Sequence, residues 1–113
     1  MASLRYAAQC VLDECREGIA WVVVWKEGRG WETSRFYLEY NERSNTVRLD
    51  WPEDLETLQG ILAIDQSAII VNSYVHNLGV FDGQCTRDDL AGALRWQYEL
   101  QHATLADFME RIV

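Results

Sequence analysis

Apolar positions recur along this chain with two different periods, and each change of period marks an element. Leu4, Ala7, Ala8, Val11, Leu12 and Cys15 follow the spacing of one helix face, with Arg5, Gln9, Asp13, Arg16 and Glu17 on the opposite side. Ser3 is a suitable N-cap and Gly18 a suitable stop, so the pattern predicts a helix over residues 3–17. Residues 19–26 then run without polar relief until Lys26, rich in valine and tryptophan. This is a strand apolar on both faces, the kind that sits inside a sheet and is covered on each side. Glu27-Gly28-Arg29-Gly30 supplies a tight hairpin turn. The returning segment, residues 31–40, alternates: Phe36, Leu38 and Tyr40 share one parity, Trp31, Arg35 and Tyr37 the other. After the turn chemistry of residues 41–45, a third strand is predicted at 46–51, with Val47, Leu49 and Trp51 inward.

Pro52 opens a helix whose first turn holds Glu53, Asp54 and Glu56, and whose apolar side holds Leu55, Leu58, Ile61 and Leu62. Residues 68–75 fit strand better than helix, because Ile69-Ile70-Val71 is β-branched throughout. Residues 76–85 carry the composition of a loop. Thr86 with Asp89 makes a capping-box start for a further helix, with Leu90, Leu94 and Tyr98 on its stripe. Thr104 with Asp107 starts a short last helix in the same way. The order α-β-β-β-α-(β)-α-α predicts a single α+β domain over residues 1–113. Its sheet is expected to be an antiparallel three- to four-stranded meander, with the helices packed on one face.

Charge sharpens this picture. Eighteen acids against ten bases give a formal net charge of −8. Residues 49–86 contain Asp50, Glu53, Asp54, Glu56, Asp65 and Asp82 and no lysine or arginine, so that third supplies most of the field. Such a surface repels nucleic-acid phosphates and anionic lipid, so neither is expected as a direct partner. The longest apolar run, Ile19 to Trp25, has seven residues, well short of the ~20 that span a bilayer. The first residues show no basic-then-apolar leader pattern. Three cysteines, Cys10, Cys15 and Cys85, lack paired spacing, which argues against a disulfide framework and for a reducing, cytoplasmic setting.

Candidate chemistry is sparse. His76, Asp82 and Cys85 fall in one loop and would activate a thiolate only if their side chains converged. A loop that needs polar turn residues would look much the same, so the three are weak catalytic candidates. His76 and His102 stand far apart without any ligand motif, and no acidic run has calcium-site spacing, so neither metal nor cofactor is expected. Gly28-Arg29-Gly30 leads into a strand rather than a helix, so it is a turn and not a phosphate cradle.

Five tryptophans in 113 residues are the unusual feature. With nine of the ten bases arginine, a Trp31/Arg35/Tyr37 outer sheet face has the residue types of a binding hot spot. Together with Asp50, Glu53, Asp54, Glu56 and Asp65 it forms the candidate binding set. The expectation is therefore a non-catalytic binding domain, an inhibitor or adaptor that docks on a basic protein, one that itself binds nucleic acid among the options. Immunity proteins, antitoxins and phage-encoded inhibitors are of this physical type, an analogy of composition only. Two alternatives stay open. One is a small-molecule-binding domain or minor enzyme with its pocket at the 76–85 loop; the other is a self-associating subunit joined through a sheet face or edge.

Overall fold

The computed structural model describes residues 2–17, 21–72 and 85–113, apart from the side chains of residues 15–17. The chain is α+β, and its elements follow in the order read from the sequence. They are α1 (Leu4–Glu17), β1 (Trp21–Glu27), β2 (Gly30–Phe36), β3 (Leu38–Asn41), β4 (Thr46–Leu49), α2 (Asp54–Ile64), β5 (Ile69–Asn72), α3 (Arg87–Glu99) and α4 (Leu105–Met109).

β1 is the middle of the main sheet. It pairs antiparallel with β2 through the hairpin, Trp21 opposite Phe36 and Glu27 opposite Gly30. On its other edge it pairs antiparallel with β5, Val24 opposite Ile69 and Trp21 opposite Asn72. The sheet order is β2-β1-β5, so the third strand of the sheet arrives from beyond α2 and the expected meander is not formed. The segment predicted as one returning strand is two. It leaves the main sheet at Tyr37, and β3 then pairs with β4 in a separate two-stranded ribbon.

The helices cover both faces of the sheet rather than one, which is what a strand apolar on both sides requires. Val22 and Val24, with Ile69 and Val71 across the ladder, face α1 and α3 in a first core. Leu4, Ala7, Ala8, Val11 and Leu12 supply α1's share, and Leu90, Ala91 and Leu94 that of α3. Val23 and Ile70, of the opposite parity, face a second core with Phe36, Val47, Leu58, Ile61, Leu105 and Phe108. That core is closed by α2, α4 and the ribbon. Period-two alternation thus divides one strand between two cores.

Caps and edges are built as the sequence suggests. The Thr86 hydroxyl accepts from the Asp89 amide at 3.1 Å, and the Asp89 carboxylate accepts from the Thr86 amide at 3.4 Å. Thr104 caps α4 by accepting from the Asp107 amide at 3.2 Å. α2 starts at Asp54, two residues after Pro52, without a side-chain cap. The open edge of β5 is bonded by the segment before α4: the Ile70 amide donates to Ala103 and the Leu105 amide to Ala68. Val47 of β4 likewise exchanges backbone bonds with Arg111 and Val113. Covered edges of this kind give no template for strand addition.

Two cores on opposite sides of a sheet share few partners, so damage to each should add. Leu94→Ala in the first core and Leu58→Ala in the second should each cost about 2–5 kcal/mol of unfolding free energy. In a denaturant titration the double variant should lose the sum within about 0.5 kcal/mol. A sum short by more than that would mean a single coupled core.

Candidate functional site

Four of the seven residues from Asp50 to Glu56 are acidic, and the chain bends there between the end of β4 and the start of α2. Asp50, Glu53 and Glu56 are exposed and Asp54 is half-buried. Among the described residues none of the four takes part in an ion pair; the pairs that form are Arg5–Asp88, Arg35–Glu14, Arg87–Asp88 and Arg95–Glu99. Desolvation, and then the neighbouring charge of Glu53, push the Asp54 carboxyl above its ordinary value. Glu53 thus acts on Asp54, and neither is in an ion pair among the described residues.

Two apolar side chains stand within the same turn. Trp51 is 55% exposed and Leu55 38%. Alternation along β4 assigns Trp51 to the inside, but β4 ends at Leu49, and the bend that follows carries the indole out to solvent. Tyr37 adjoins this corner: its carbonyl accepts from the Asp50 amide at 3.1 Å, and its ring is 41% exposed. The site is thus an acidic corner, with Trp51 and Leu55 set among Asp50, Glu53, Asp54 and Glu56, and Tyr37 alongside.

Three members of the sequence-derived set belong elsewhere. Trp31 is not on an outer face. It is 7% exposed, packs edge-on against Tyr98 at 4.8 Å and donates its amide to Ala2 at 2.9 Å. Parity does separate it from Phe36, but α1 and α3 cover that side of the sheet. Arg35, on the same side, is held by Glu14 of α1 at 2.8 Å, with its guanidinium 5.3 Å from the Tyr37 ring. Asp65 stands at the far end of α2, an 11-residue helix about 16 Å long, and points inward. One carboxylate oxygen accepts from the Lys26 amide at 2.8 Å and the Tyr98 hydroxyl at 2.9 Å; the other accepts from the Ser67 amide at 2.9 Å. Of the described acids of residues 49–86, Asp50, Glu53, Asp54 and Glu56 fall at one corner and Asp65 lies apart from them.

Of the catalytic candidates, His76 and Asp82 lie outside the described residues. Cys85 is half-buried and packs against the first core, its thiol 3.6 Å from the Thr86 carbonyl. Among the described residues no three histidine, cysteine or carboxylate side chains gather as a metal site would need. No helix among them is long and apolar enough to cross a membrane.

The family described as large polyvalent-protein-associated domain 15 matches residues 2–108. The chain belongs to that family. No curated protein and no solved structure matches it. The family match takes in both cores, the ribbon and the acidic corner, so the corner is part of the family's domain and not an appendage to it.

Sequence reasoning missed Trp51, Leu55 and Tyr98. For Trp51 the signal was there: a residue directly before proline is pushed to extended backbone, and strand parity does not carry through the bend that follows. Nothing in the sequence announces Tyr98 as the partner of Asp65. Burial, the bond to Asp65 and that carboxylate's charge together push the Tyr98 hydroxyl up to about 12. A phenol whose folded value lies above its unfolded one stabilises the fold fully below pH ~10, and that contribution is lost as the pH rises through 12. Melting temperature should therefore fall between those limits. Tyr98→Phe should melt lower at pH 7, by about 1–3 kcal/mol of stability, and should lose this part of the alkaline slope. An unchanged slope in the variant would refute the assignment.

Proposed function

We propose that this chain is a non-catalytic protein-binding domain, an inhibitor or adaptor whose acidic corner docks on a basic surface of a partner protein. The single observation that carries this reading is the combination at residues 50–56: four carboxylates without ion pairs among the described residues, around a half-exposed tryptophan. Tryptophan in the middle of a patch with charges at its rim has the anatomy of an interface hot spot. Unneutralised rim charges speed encounter with a basic partner and reject acidic ones. Desolvation and then the charge of Glu53 work against ionised Asp54, while the dipole of α2, in whose first turn Asp54 and Glu56 stand, works for it.

The family description associates the domain with large polyvalent proteins. A basic partner is in many cases one that itself handles nucleic acid, and a row of carboxylates occupies a phosphate-binding groove by imitating its ligand. The domain's own charge of −8 argues against direct binding of nucleic acid or anionic membrane. Half-buried thiols at Cys10 and Cys85 suit a reducing cytoplasm.

The test is affinity capture from the native host at 50 and 300 mM salt with three baits: the unaltered chain, E53Q/D54N/E56Q and E53K/D54K/E56K. A basic protein should be retained at low salt by the unaltered chain and weakened by high salt. The neutral triple should bind it at least about tenfold more weakly, and the reversed triple more weakly still. Trp51→Ala should cost a similar factor without altering the salt dependence. Equal retention by all three baits would sink the proposal.

A further inference from the structure

A second surface, on the side of the second core, has chemistry of its own. Trp21 of β1, Tyr40 of β3 and Phe108 of α4 meet there, Trp21 lying 5.0 Å from Phe108 and 6.3 Å from Tyr40 between ring centroids. Beside them opens a cleft of about 380 Å³, which His102, Asp107 and Arg111 also line. That volume lies within the range of small-molecule sites, and the wall is mostly apolar with a few polar groups, as such sites are.

The far wall is held rigidly. Gln101 and Ala103, neither of them glycine, adopt φ of 54° and 53° on either side of His102. Left-handed backbone costs an L-residue roughly 1–2 kcal/mol, and it persists here because the corner is clamped to β5. The His102 amide donates to Gln97 at 3.0 Å, while the Ala103 carbonyl accepts from the Ile70 amide at 3.2 Å.

The charges at the rim name the occupant. Asp107 stands in α4, and Arg111 lies two residues beyond the end of that helix. Among the described residues neither takes part in an ion pair, although both line the cleft. One anion and one cation thus line the same cleft as the three aromatic rings. The Trp21 and Phe108 rings touch, so no cage for a bare ammonium group opens between them. A purely anionic ligand would meet Asp107, and a purely cationic one Arg111. A zwitterion satisfies both.

We propose that this cleft binds a free aromatic amino acid, with its ring on the Trp21–Tyr40–Phe108 shelf, its α-carboxylate toward Arg111 and its α-ammonium toward Asp107. This site is separate from the acidic corner, and either stands if the other fails. The test is a titration of the isotope-labelled 113-residue chain, followed by amide NMR, with four probes: L-tryptophan, indole-3-acetate, tryptamine and N-acetyl-tryptophanamide. L-tryptophan should give saturable shifts at Tyr40, Phe108 and Arg111 and bind about tenfold tighter than the uncharged N-acetyl-tryptophanamide, with the two singly charged probes between. R111Q should bring L-tryptophan down to the level of tryptamine, and D107N to that of indole-3-acetate. Equal binding of L-tryptophan and N-acetyl-tryptophanamide, shifts confined to Trp51 or Trp96, or the absence of saturable shifts would each overturn the proposal. The probe series on the unaltered chain decides it even where a variant does not fold.

Discussion

Everything in this domain is arranged around β1, a strand whose central residues have no wet face. Val22, Val23 and Val24 are almost completely removed from water, and consecutive residues on a strand point in opposite directions. Two separate layers must therefore cover them, and a chain of this length has to provide both. It does so with α1 and α3 on one side, and with α2, α4 and the β3–β4 ribbon on the other. β1 also needs a partner on each edge. Because β2 is committed through the hairpin, the second edge waits for β5, which arrives only after α2 has crossed.

Asp65 secures that crossing. β5 pairs with β1 from Trp21 to Val24, and among the described residues no strand lies beside that edge of β1 beyond Val24. The Asp65 carboxylate takes over, accepting from the Lys26 amide and, on the other side, from Tyr98 of α3. One side chain thus ties the end of α2, the edge of the sheet and the helix on the opposite layer. An acid that composition groups with a binding surface is used here as internal structure. Among the described residues, Asp50, Glu53, Asp54 and Glu56 have no such partners.

How much of this was legible depended on how local the cause was. Helix caps at Thr86 and Thr104, the α1 stripe and the both-sided burial of β1 follow from adjacent residues, and they were readable as such. The identity of β1's second neighbour was not, because it depends on a pairing across more than forty residues. Trp31 shows the same limit from the other direction: its parity was correct, but parity says only which side a residue faces and not whether a helix lies there. At Trp51 the parity rule itself lapsed, since the strand had ended two residues earlier. The carboxylates of the acidic corner were readable one by one. That they lack counter-charges and surround an exposed indole depends on where the chain folds, which no window of sequence contains.

The central claim is that the two cores complete themselves without the acidic corner, leaving Trp51 available at the surface while Trp31 belongs to the scaffold. Unfolding free energies of Trp51→Ala and Trp31→Ala, measured by denaturant titration on the same chain, test it most directly. Trp51→Ala should change stability by no more than about 0.5 kcal/mol, as surface substitutions do. Trp31→Ala should lose about 3–5 kcal/mol. A loss at Trp51 as large as that at Trp31 would place the corner inside the core and contradict the account.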